Sequence, residues 1–329
     1  MGYVPEPLEN LVYYFQIQLE LGSDKQNVSF QVDTGSADFW VPLKTADCVN
    51  CEFQSGTFDN ATSSTYRTFG APFSIKYGGN DSAIGEYASD QVTISSGQTI
   101  NNMTFGAVNS TTRYLAMMGV SFDTEENGIY KNFPSILKYN ELIDKTAYSL
   151  YLTDNQTQNG EILFGAIDHA KYKGSLETFL VANNRLAIDL DEIVDANGTS
   201  HKLNGLSVLL DSGTADIWLP QEMFLEIGNS ITGARYDSNT NRFVVDSCSL
   251  PSDKSLMFKL GNTTIRVPHS ELLLPDCTLG IESSVSLYGI NILGVSFLKH
   301  SYSVFNLDDK TISIAPVIYT SNSDIRTIE

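Results

Sequence analysis

Short stretches in which apolar and polar residues alternate recur along the whole chain. They are rich in Val, Ile, Thr, Tyr and Phe and are separated by Gly, Asn, Asp and Ser, which is typical of β-strands joined by turns. The clearest are YYFQIQLEL (13–21), FSIKY (73–77), YSLYL (148–152), EILFG (161–165), RFVVD (242–246), YSVFNL (302–307) and TISIA (311–315). Helical spacing of apolar residues occurs near 133–143 and 220–231. The pattern predicts a mostly β protein with a few short helices.

One unusual stretch occurs twice, as FQVDTGSADFWVP (30–42) and VLLDSGTADIWLP (208–220). Six of the thirteen positions are identical: Asp33/Asp211, Gly35/Gly213, Ala37/Ala215, Asp38/Asp216, Trp40/Trp218 and Pro42/Pro220. A second pair, AMMGVSF and NILGVSF, follows at nearly the same offset, since Gly119 lies 86 residues after Asp33 and Gly294 lies 83 residues after Asp211. Two motifs repeated in this way indicate a duplicated domain. We therefore predict two homologous β lobes, 1–183 and 184–329, which meet within LVANNR (180–185).

The repeated acids suggest a specific chemistry. If the two lobes pack face to face, Asp33 and Asp211 meet near the axis that relates them. Two carboxylates a few ångströms apart resist ionising together, so they share one proton over a wide acid range. One carboxylate can then act as a general base on a bound water while the other protonates a carbonyl oxygen.

The residues next to each acid are small. We expect the glycine two positions after each acid, Gly35 and Gly213, to let the backbone turn tightly and bring amide groups toward the carboxylate. Thr34 and Ser212 supply hydroxyls that can join the two loops across the interface. The repeated Asp38 and Asp216 are interpreted as solvated or loop-pinning acids.

Composition narrows the function further. With 329 residues and 42% hydrophobic content the chain can bury a sizeable core. A net charge of −19 argues against a nucleic-acid surface and fits an acidic working environment, where self-repulsion falls. No apolar run is long enough for a membrane span. The first residues, MGYVPEPLEN, lack the basic and apolar regions of a signal peptide.

Four cysteines allow three disulfide pairings or one tetrahedral metal site. The second pair of cysteines is widely spaced and the four histidines are scattered singly, which argues against zinc. We favour the disulfides Cys48–Cys51 and Cys248–Cys277 and expect no metal.

Eight N-glycosylation sequons fit a secreted glycoprotein, although chance accounts for several in a chain rich in Asn, Ser and Thr. They start at Asn27, Asn60, Asn80, Asn102, Asn109, Asn155, Asn197 and Asn262.

These motifs resemble the pepsin family of aspartic proteases. DTGS (33–36) and DSGT (211–214) match its two catalytic signatures, and SIKYGG (74–79) resembles its flap, with Tyr77 as the flap tyrosine. By the same resemblance, Gly78 and Gly79 form the flap turn and Trp40 hydrogen-bonds Tyr77. Residues 146–176 and 292–315 are similar to the candidapepsin and yapsin-like branch of yeast secreted aspartic proteases.

The resemblance implies a bilobal β fold in which a β-hairpin flap covers a cleft of peptide length. It implies a secreted endopeptidase that acts on proteins and peptides at acidic pH without a cofactor, is inhibited by pepstatin-type compounds and works as a monomer. The chain would be the mature form of a zymogen, without signal peptide and propeptide. Ser36 and Thr214 would hydrogen-bond the outer oxygens of the dyad.

Three further residues are candidates for the wall of the cleft. Tyr114, Met117 and Ile292 are expected to bind substrate, with core packing as the alternative for the first two. Apolar candidates favour hydrophobic residues beside the scissile bond, whereas Asp81 and Glu86 near the flap favour Lys or Arg.

The sequence departs from the family pattern in three places. Val295 stands where an acid is usual, LAMMG (115–119) replaces a typical DGILG, and Asn80 replaces a common flap glycine. A rival hypothesis is a catalytically silent relative that binds peptides or cell-wall material. Both acids are present, which favours the enzyme.

Overall fold

The structure is a computed structural model that describes residues 2–123, 130–154 and 159–329. The first half of the described chain forms β1 (Val4–Asn10), β2 (Phe15–Leu21), β3 (Gln26–Asp33), β4 (Phe39–Cys48), β5 (Arg67–Lys76), β6 (Ser82–Thr93), β7 (Thr99–Thr111), β8 (Ala116–Gly119), β9 (Ala147–Tyr151), β10 (Asn159–Phe164), β11 (Ala166–Asp168) and β12 (Glu177–Leu180).

The second half of the described chain also consists mainly of strands. Its strands are β13 (Ala187–Val194), β14 (Ser200–Leu210), β15 (Ile217–Leu219), β16 (Ala234–Asp237), β17 (Arg242–Val245), β18 (Ser255–Leu260), β19 (Thr263–Pro268), β20 (Ile281–Ser283), β21 (Ile292–Leu293), β22 (Ser301–Asn306), β23 (Thr311–Pro316) and β24 (Ile325–Thr327). The α-helices of the described ranges are α1 (Phe133–Tyr139), α2 (Gln221–Ser230) and α3 (Val295–Leu298). This confirms the predicted mostly β class.

The alternation in the sequence determines which side of a strand is buried. In β2, Phe15, Ile17, Leu19 and Leu21 are buried while the polar residues between them face outward. The end of β3 differs, because its last four residues are all buried. Phe30 and Val32 lie on one face, and Gln31 and Asp33 on the other. The sheet therefore places a carboxylate inside the molecule.

Two large sheets give the bilobal arrangement. One has 13 strands in the order β12-β23-β22-β9-β10-β1-β2-β3-β8-β4-β7-β6-β5, and the other has seven in the order β19-β18-β13-β14-β21-β15-β20. Strands β22 and β23 come from the end of the chain yet pair with β9 and β12 in the larger sheet. The segment 301–316 thus ties the two halves together, and the division at residue 183 remains a prediction.

The sequence repeat is also a structural repeat. Strand β8 lies between β3, to which it is parallel, and β4, to which it is antiparallel. Strand β21 lies between β14 and β15 with the same two directions. In each half a short strand that ends at or next to a glycine, Gly119 or Gly294, therefore runs under the loop that follows the acid. A Cβ on Gly119 would lie 2.4 Å from a backbone carbon of Ala37, so no larger residue fits there.

Helix α1 is shorter than the predicted 133–143. It begins after Asn132, whose side chain accepts a hydrogen bond from Ser135 N at 3.3 Å and caps the first turn. It ends at Tyr139, and Glu141 has a φ of 58°, which a helix does not allow. Helix α2 lies within the predicted range and starts directly after Pro220.

Candidate active site

The two acids of the repeated motif lie against each other's loops. Asp33 is 4% exposed and Asp211 is 7% exposed. A Cβ added to Gly35 would lie 2.6 Å from the carboxyl carbon of Asp211, and one added to Gly213 would lie 2.3 Å from Asp33 Oδ1. Neither glycine has a positive φ. The chain turns at both glycines and their amides reach the carboxylates, as the sequence suggested, but glycine itself is needed because the opposite carboxylate occupies the space of a side chain.

Each carboxylate accepts the same two hydrogen bonds from its own loop. Gly35 N donates to Asp33 Oδ1 at 2.8 Å, and Ser36 Oγ donates to Asp33 Oδ2 at 2.5 Å. In the second half, Gly213 N donates to Asp211 Oδ1 at 2.8 Å and Thr214 Oγ1 to Asp211 Oδ2 at 2.6 Å. Charge-assisted hydrogen bonds of this kind fix the plane of each carboxylate.

Thr34 and Ser212 join the two loops by four crossed hydrogen bonds. Thr34 N donates to Ser212 Oγ at 3.1 Å, and Ser212 N donates to Thr34 Oγ1 at 2.9 Å. Each hydroxyl then donates to a carbonyl of the other half, Thr34 Oγ1 to Leu210 O and Ser212 Oγ to Val32 O, both at 2.7 Å. Both side chains are buried, so water does not compete for these bonds.

The environment raises the pKa of Asp211. Burial is the larger cause, because a carboxylate loses its hydration there, and the negative charge of Asp33 is the next. The Thr214 hydroxyl and the Gly213 amide oppose the shift by stabilising the charged form. Asp211 therefore keeps a proton far above the pH at which an exposed aspartate loses it. A protonated acid beside a second carboxylate can perform general acid and general base catalysis together.

A β-hairpin covers the two acids. Strands β5 and β6 are antiparallel, and Lys76 and Ser82 are the last pair before the turn. This turn includes Gly79, which has a φ of 77°. Trp40 Nε1 donates to Tyr77 OH at 2.6 Å. A Cβ on Gly78 would lie 2.7 Å from Leu287 Cδ2, so the tip of the hairpin touches the second half of the molecule. The hairpin thus spans the space between the halves.

The remaining residues expected at the cleft differ in exposure. Met117 is 1% exposed and packs with Trp40 and Phe73 in a cluster beneath the hairpin, which favours the packing alternative. Ile292 is 4% exposed within β21, whereas Tyr114 is 40% exposed.

Comparison with known proteins gives the family. Residues 13–317 match the family model described as eukaryotic aspartyl protease. The chain belongs to this family. It is similar to candidapepsin of Candida tropicalis, with 37% identity over 341 aligned positions that cover 99% of this chain and 84% of that protein. It is also similar to candidapepsin-3 of Candida albicans (strain WO-1), at 34% identity with 99% and 85% coverage.

A third relative is secreted aspartic protease 10 of Candida albicans (strain SC5314), 33% identical with 99% of this chain and 76% of that protein covered. These findings confirm the resemblance drawn from the motifs. The chain is an aspartic-type endopeptidase, and its substrates are proteins or peptides.

A cavity of about 440 Å³ opens beside the paired acids of the protease. It includes Gly35 on one side and the apolar Leu206, Leu209 and Ile290 on the other, with Arg185 and Asn291 also in its wall.

The flap acids of the protease already have partners. Asp81 pairs with Arg113 at 3.2 Å, and Glu86 accepts a hydrogen bond from Thr68 at 2.9 Å. Arg113 therefore offsets the charge of Asp81, whereas Glu86 is exposed with an uncharged partner, and the preference for Lys or Arg stays a prediction.

Sequence reasoning missed a half-buried charge cluster behind the second loop of the protease, of which it had named only Asp216. Arg242 lies 2.6 Å from Glu282 and 3.8 Å from Asp216. Burial raises the pKa of Asp216 to about 6 and that of Glu282 to about 7. Asp216 thus lies in a largely desolvated site near one guanidinium, and the repeated motif was the signal that pointed to it.

The departures from the family pattern leave the loop connections intact. Val295 is 1% exposed, and its amide donates to Thr214 O at 2.8 Å. Leu115 and Ala116 are buried as well, and Ala116 N donates to Ser55 Oγ at 3.0 Å. Backbone groups make these bonds, so the altered side chains do not remove them.

The cysteines form the disulfides Cys48–Cys51 and Cys248–Cys277 in the protease. Of the sequon asparagines, Asn155 lies outside the described residues, Asn60 is half-buried, and those that are exposed are Asn27, Asn102, Asn109, Asn197 and Asn262.

Two features are absent from residues 2–123, 130–154 and 159–329. No helix there has the length and apolar character needed to cross a membrane. Within the same ranges, no group of three or more His, Cys, Asp or Glu side chains is placed to hold a metal ion.

Proposed function

We propose that this protease is a secreted acid endopeptidase in which Asp33 and Asp211 act as a dyad that activates a water molecule. The observation that carries the proposal is the position of each carboxylate against the glycine of the other loop, with identical hydrogen bonds on both sides.

The reaction follows from the two protonation states. Ionised Asp33 takes a proton from the bound water as the water oxygen attacks the scissile carbonyl carbon. Protonated Asp211 gives its proton to the carbonyl oxygen, which yields a neutral tetrahedral diol. The carbon–nitrogen bond then breaks as the leaving nitrogen takes a proton from the dyad and a diol hydroxyl returns one. Tyr77, held by Trp40, closes the flap over the substrate and limits entry of water.

Three further features support the proposal that the protease is secreted. Relatives are named secreted aspartic proteases. The two disulfides suit an oxidising compartment, and the exposed sequons suit glycosylation. We propose a monomer with an N-terminal lobe of 1–183 and a C-terminal lobe of 184–329, and inhibition by pepstatin-type compounds that occupy the dyad.

The test is cleavage of a denatured protein between about pH 2.5 and 7.5, with and without pepstatin. We expect a pepstatin-sensitive, bell-shaped profile whose maximum lies on the acid side. Folded protein that binds peptides without cleaving them at any pH would overturn the proposal and favour a silent peptide binder.

A further inference from the structure

A glutamine on β3 links the two halves beside the dyad. Gln31 precedes Asp33 by two residues, so both side chains lie on the same face of the strand. It is 3% exposed, and its Nε2 donates to Gly213 O at 3.0 Å. The amide of Gly213 in turn donates to Asp211. Gln31 therefore reaches from the strand of one acid to the loop of the other.

An arginine connects this glutamine with the flap. Arg113 Nη2 donates to Gln31 Oε1 at 3.0 Å, and Arg113 Nη1 pairs with Asp81 Oδ2 at 3.2 Å. The guanidinium carbon lies 4.9 Å from the centre of the Tyr77 ring. One planar group thus contacts the flap tyrosine, the flap acid and the glutamine bonded to the loop of Asp211. Its side chain is 19% exposed, so these contacts are largely shielded from water.

Asp81, at the flap end of this series of contacts, makes two further hydrogen bonds. Thr112 Oγ1 donates to Asp81 Oδ1 at 3.1 Å, and Tyr77 N donates to Asp81 O at 2.8 Å. Asp81 and Tyr77 are therefore tied directly to each other. A displacement of the guanidinium shifts the base of the flap and the Gln31 amide together.

We infer that Arg113 is a positioning residue that couples the flap to the loop of Asp211, through Asp81 and Tyr77 on one side and Gln31 on the other. For its kinetic consequences the inference rests on the proposed function. Only a rigid fork of several N–H donors makes these contacts at once, and a lysine ammonium does not. Loss of the guanidinium leaves Gln31 Oε1 without its donor and the Tyr77 ring without its cation–π contact, so we expect the flap to spend less time closed.

A fluorescence measurement tests the coupling without any catalysis. The chain has two tryptophans, Trp40 and Trp218, so Trp218→Phe leaves Trp40 as the single reporter next to Tyr77. In that background we expect Arg113→Met to raise acrylamide quenching of Trp40 by about twofold or more, because the opened flap uncovers a fully buried indole. Arg235→Met is the matched control, since Arg235 pairs with Asp246 at the same 3.2 Å on the β16–β17 hairpin.

Steady-state kinetics on a peptide substrate test the consequence. We expect Arg113→Met to raise KM by roughly tenfold with a smaller fall in kcat, and Arg113→Lys to restore little of it. Asp81→Asn, whose parent side chain is 40% exposed, is also expected to raise KM. The double variant Arg113→Met/Asp81→Asn is expected to match Arg113→Met alone, because both changes break one connection.

The coupling is overturned if folded Arg113→Met and Asp81→Asn both keep the wild-type quenching and KM, or if their effects on KM simply multiply. If Arg113→Met does not fold, the quenching and KM of Asp81→Asn decide the matter alone. A wild type that cleaves nothing, combined with increased Trp40 quenching in Arg113→Met, would reject the proposed function while it supports the coupling.

Discussion

Thr34 and Ser212 exchange hydrogen bonds in both directions, backbone amide to side-chain hydroxyl, at 3.1 and 2.9 Å. Their hydroxyls also donate to Leu210 O and Val32 O, the carbonyls of the residues that precede the opposite acids. The distance between the two carboxylates is therefore controlled by four buried bonds that belong to neither acid. The dyad has its geometry because the loops are tied to each other, and each acid then follows its loop.

Replacing Thr34 by Val removes one hydroxyl and keeps the shape of the side chain. We expect a loss of about 2–4 kcal/mol in the free energy of unfolding. The Thr34 hydroxyl makes two of the crossed hydrogen bonds, and without it the buried Ser212 amide and Leu210 carbonyl lose their partner. Urea unfolding at pH 5 measures this. Thr178→Val is the control, since Thr178 bonds Ser313 at an exposed position. Equal stability of the two variants would contradict a role for the crossed bonds.

Replacing Asp211 by Asn removes the group that donates and accepts the proton. We expect kcat to fall by about 10³-fold or more, while the free energy of unfolding falls little or rises, since a buried carboxyl of raised pKa is removed. Asp246→Asn, a change at an exposed acid, should leave kcat unaltered. Residual turnover within about tenfold of wild type would reject the dyad mechanism.

Replacing Thr214 by Val removes the hydroxyl that donates to the outer oxygen of Asp211. This bond lowers the pKa of Asp211 because it favours the charged carboxylate, so its loss raises the pKa further. We expect the alkaline limb of the kcat/KM profile to move to higher pH. Thr214→Ser keeps the hydroxyl and should keep the wild-type limb. A shift to lower pH in Thr214→Val would show that another group controls that limb.

The cluster around Arg242 makes stability depend on pH. Burial raises the pKa of Glu282 from 4.5 to about 7 and that of Asp216 from 3.8 to about 6. Their protonated forms therefore stabilise the folded state fully below about pH 4, and this contribution is lost as the pH rises through about 6 and 7. Arg242 opposes the loss, whereas Asp276 adds to it.

Glu282→Gln is expected to reduce the fall in the free energy of unfolding between pH 5 and pH 8, because the glutamine stays neutral over that range. Urea denaturation at both pH values gives the difference, and Asp246→Asn at an exposed acid serves as the control. An unchanged fall in the glutamine variant would place the pH dependence in other carboxyls, of which buried Glu6, with a pKa raised to about 7, is the first to examine.

The strand pattern and the repeated motif were sufficient to predict the class of the fold and to single out the pair of acids. Alternation in β2 and the doubled stretch that ends in Pro42 and Pro220 are local features, and local features can be interpreted without knowing which segments meet. Family resemblance then supplied Tyr77 and Trp40, whose hydrogen bond the structure describes.

The sequence determined which residues form strands and that two equivalent acids exist, because both depend on neighbouring residues. Tertiary structure alone decided what those acids face. Gln31 and Gly213 are 182 positions apart, and Arg113 and Gln31 are 82 apart, so no pattern within either segment indicates their contact. The need for glycine at position 35 and the return of β22 and β23 into the first sheet have the same origin. Both arise from the packing of segments that are distant in sequence. The space that one segment leaves free decides which side chains the other segment can carry at the contact.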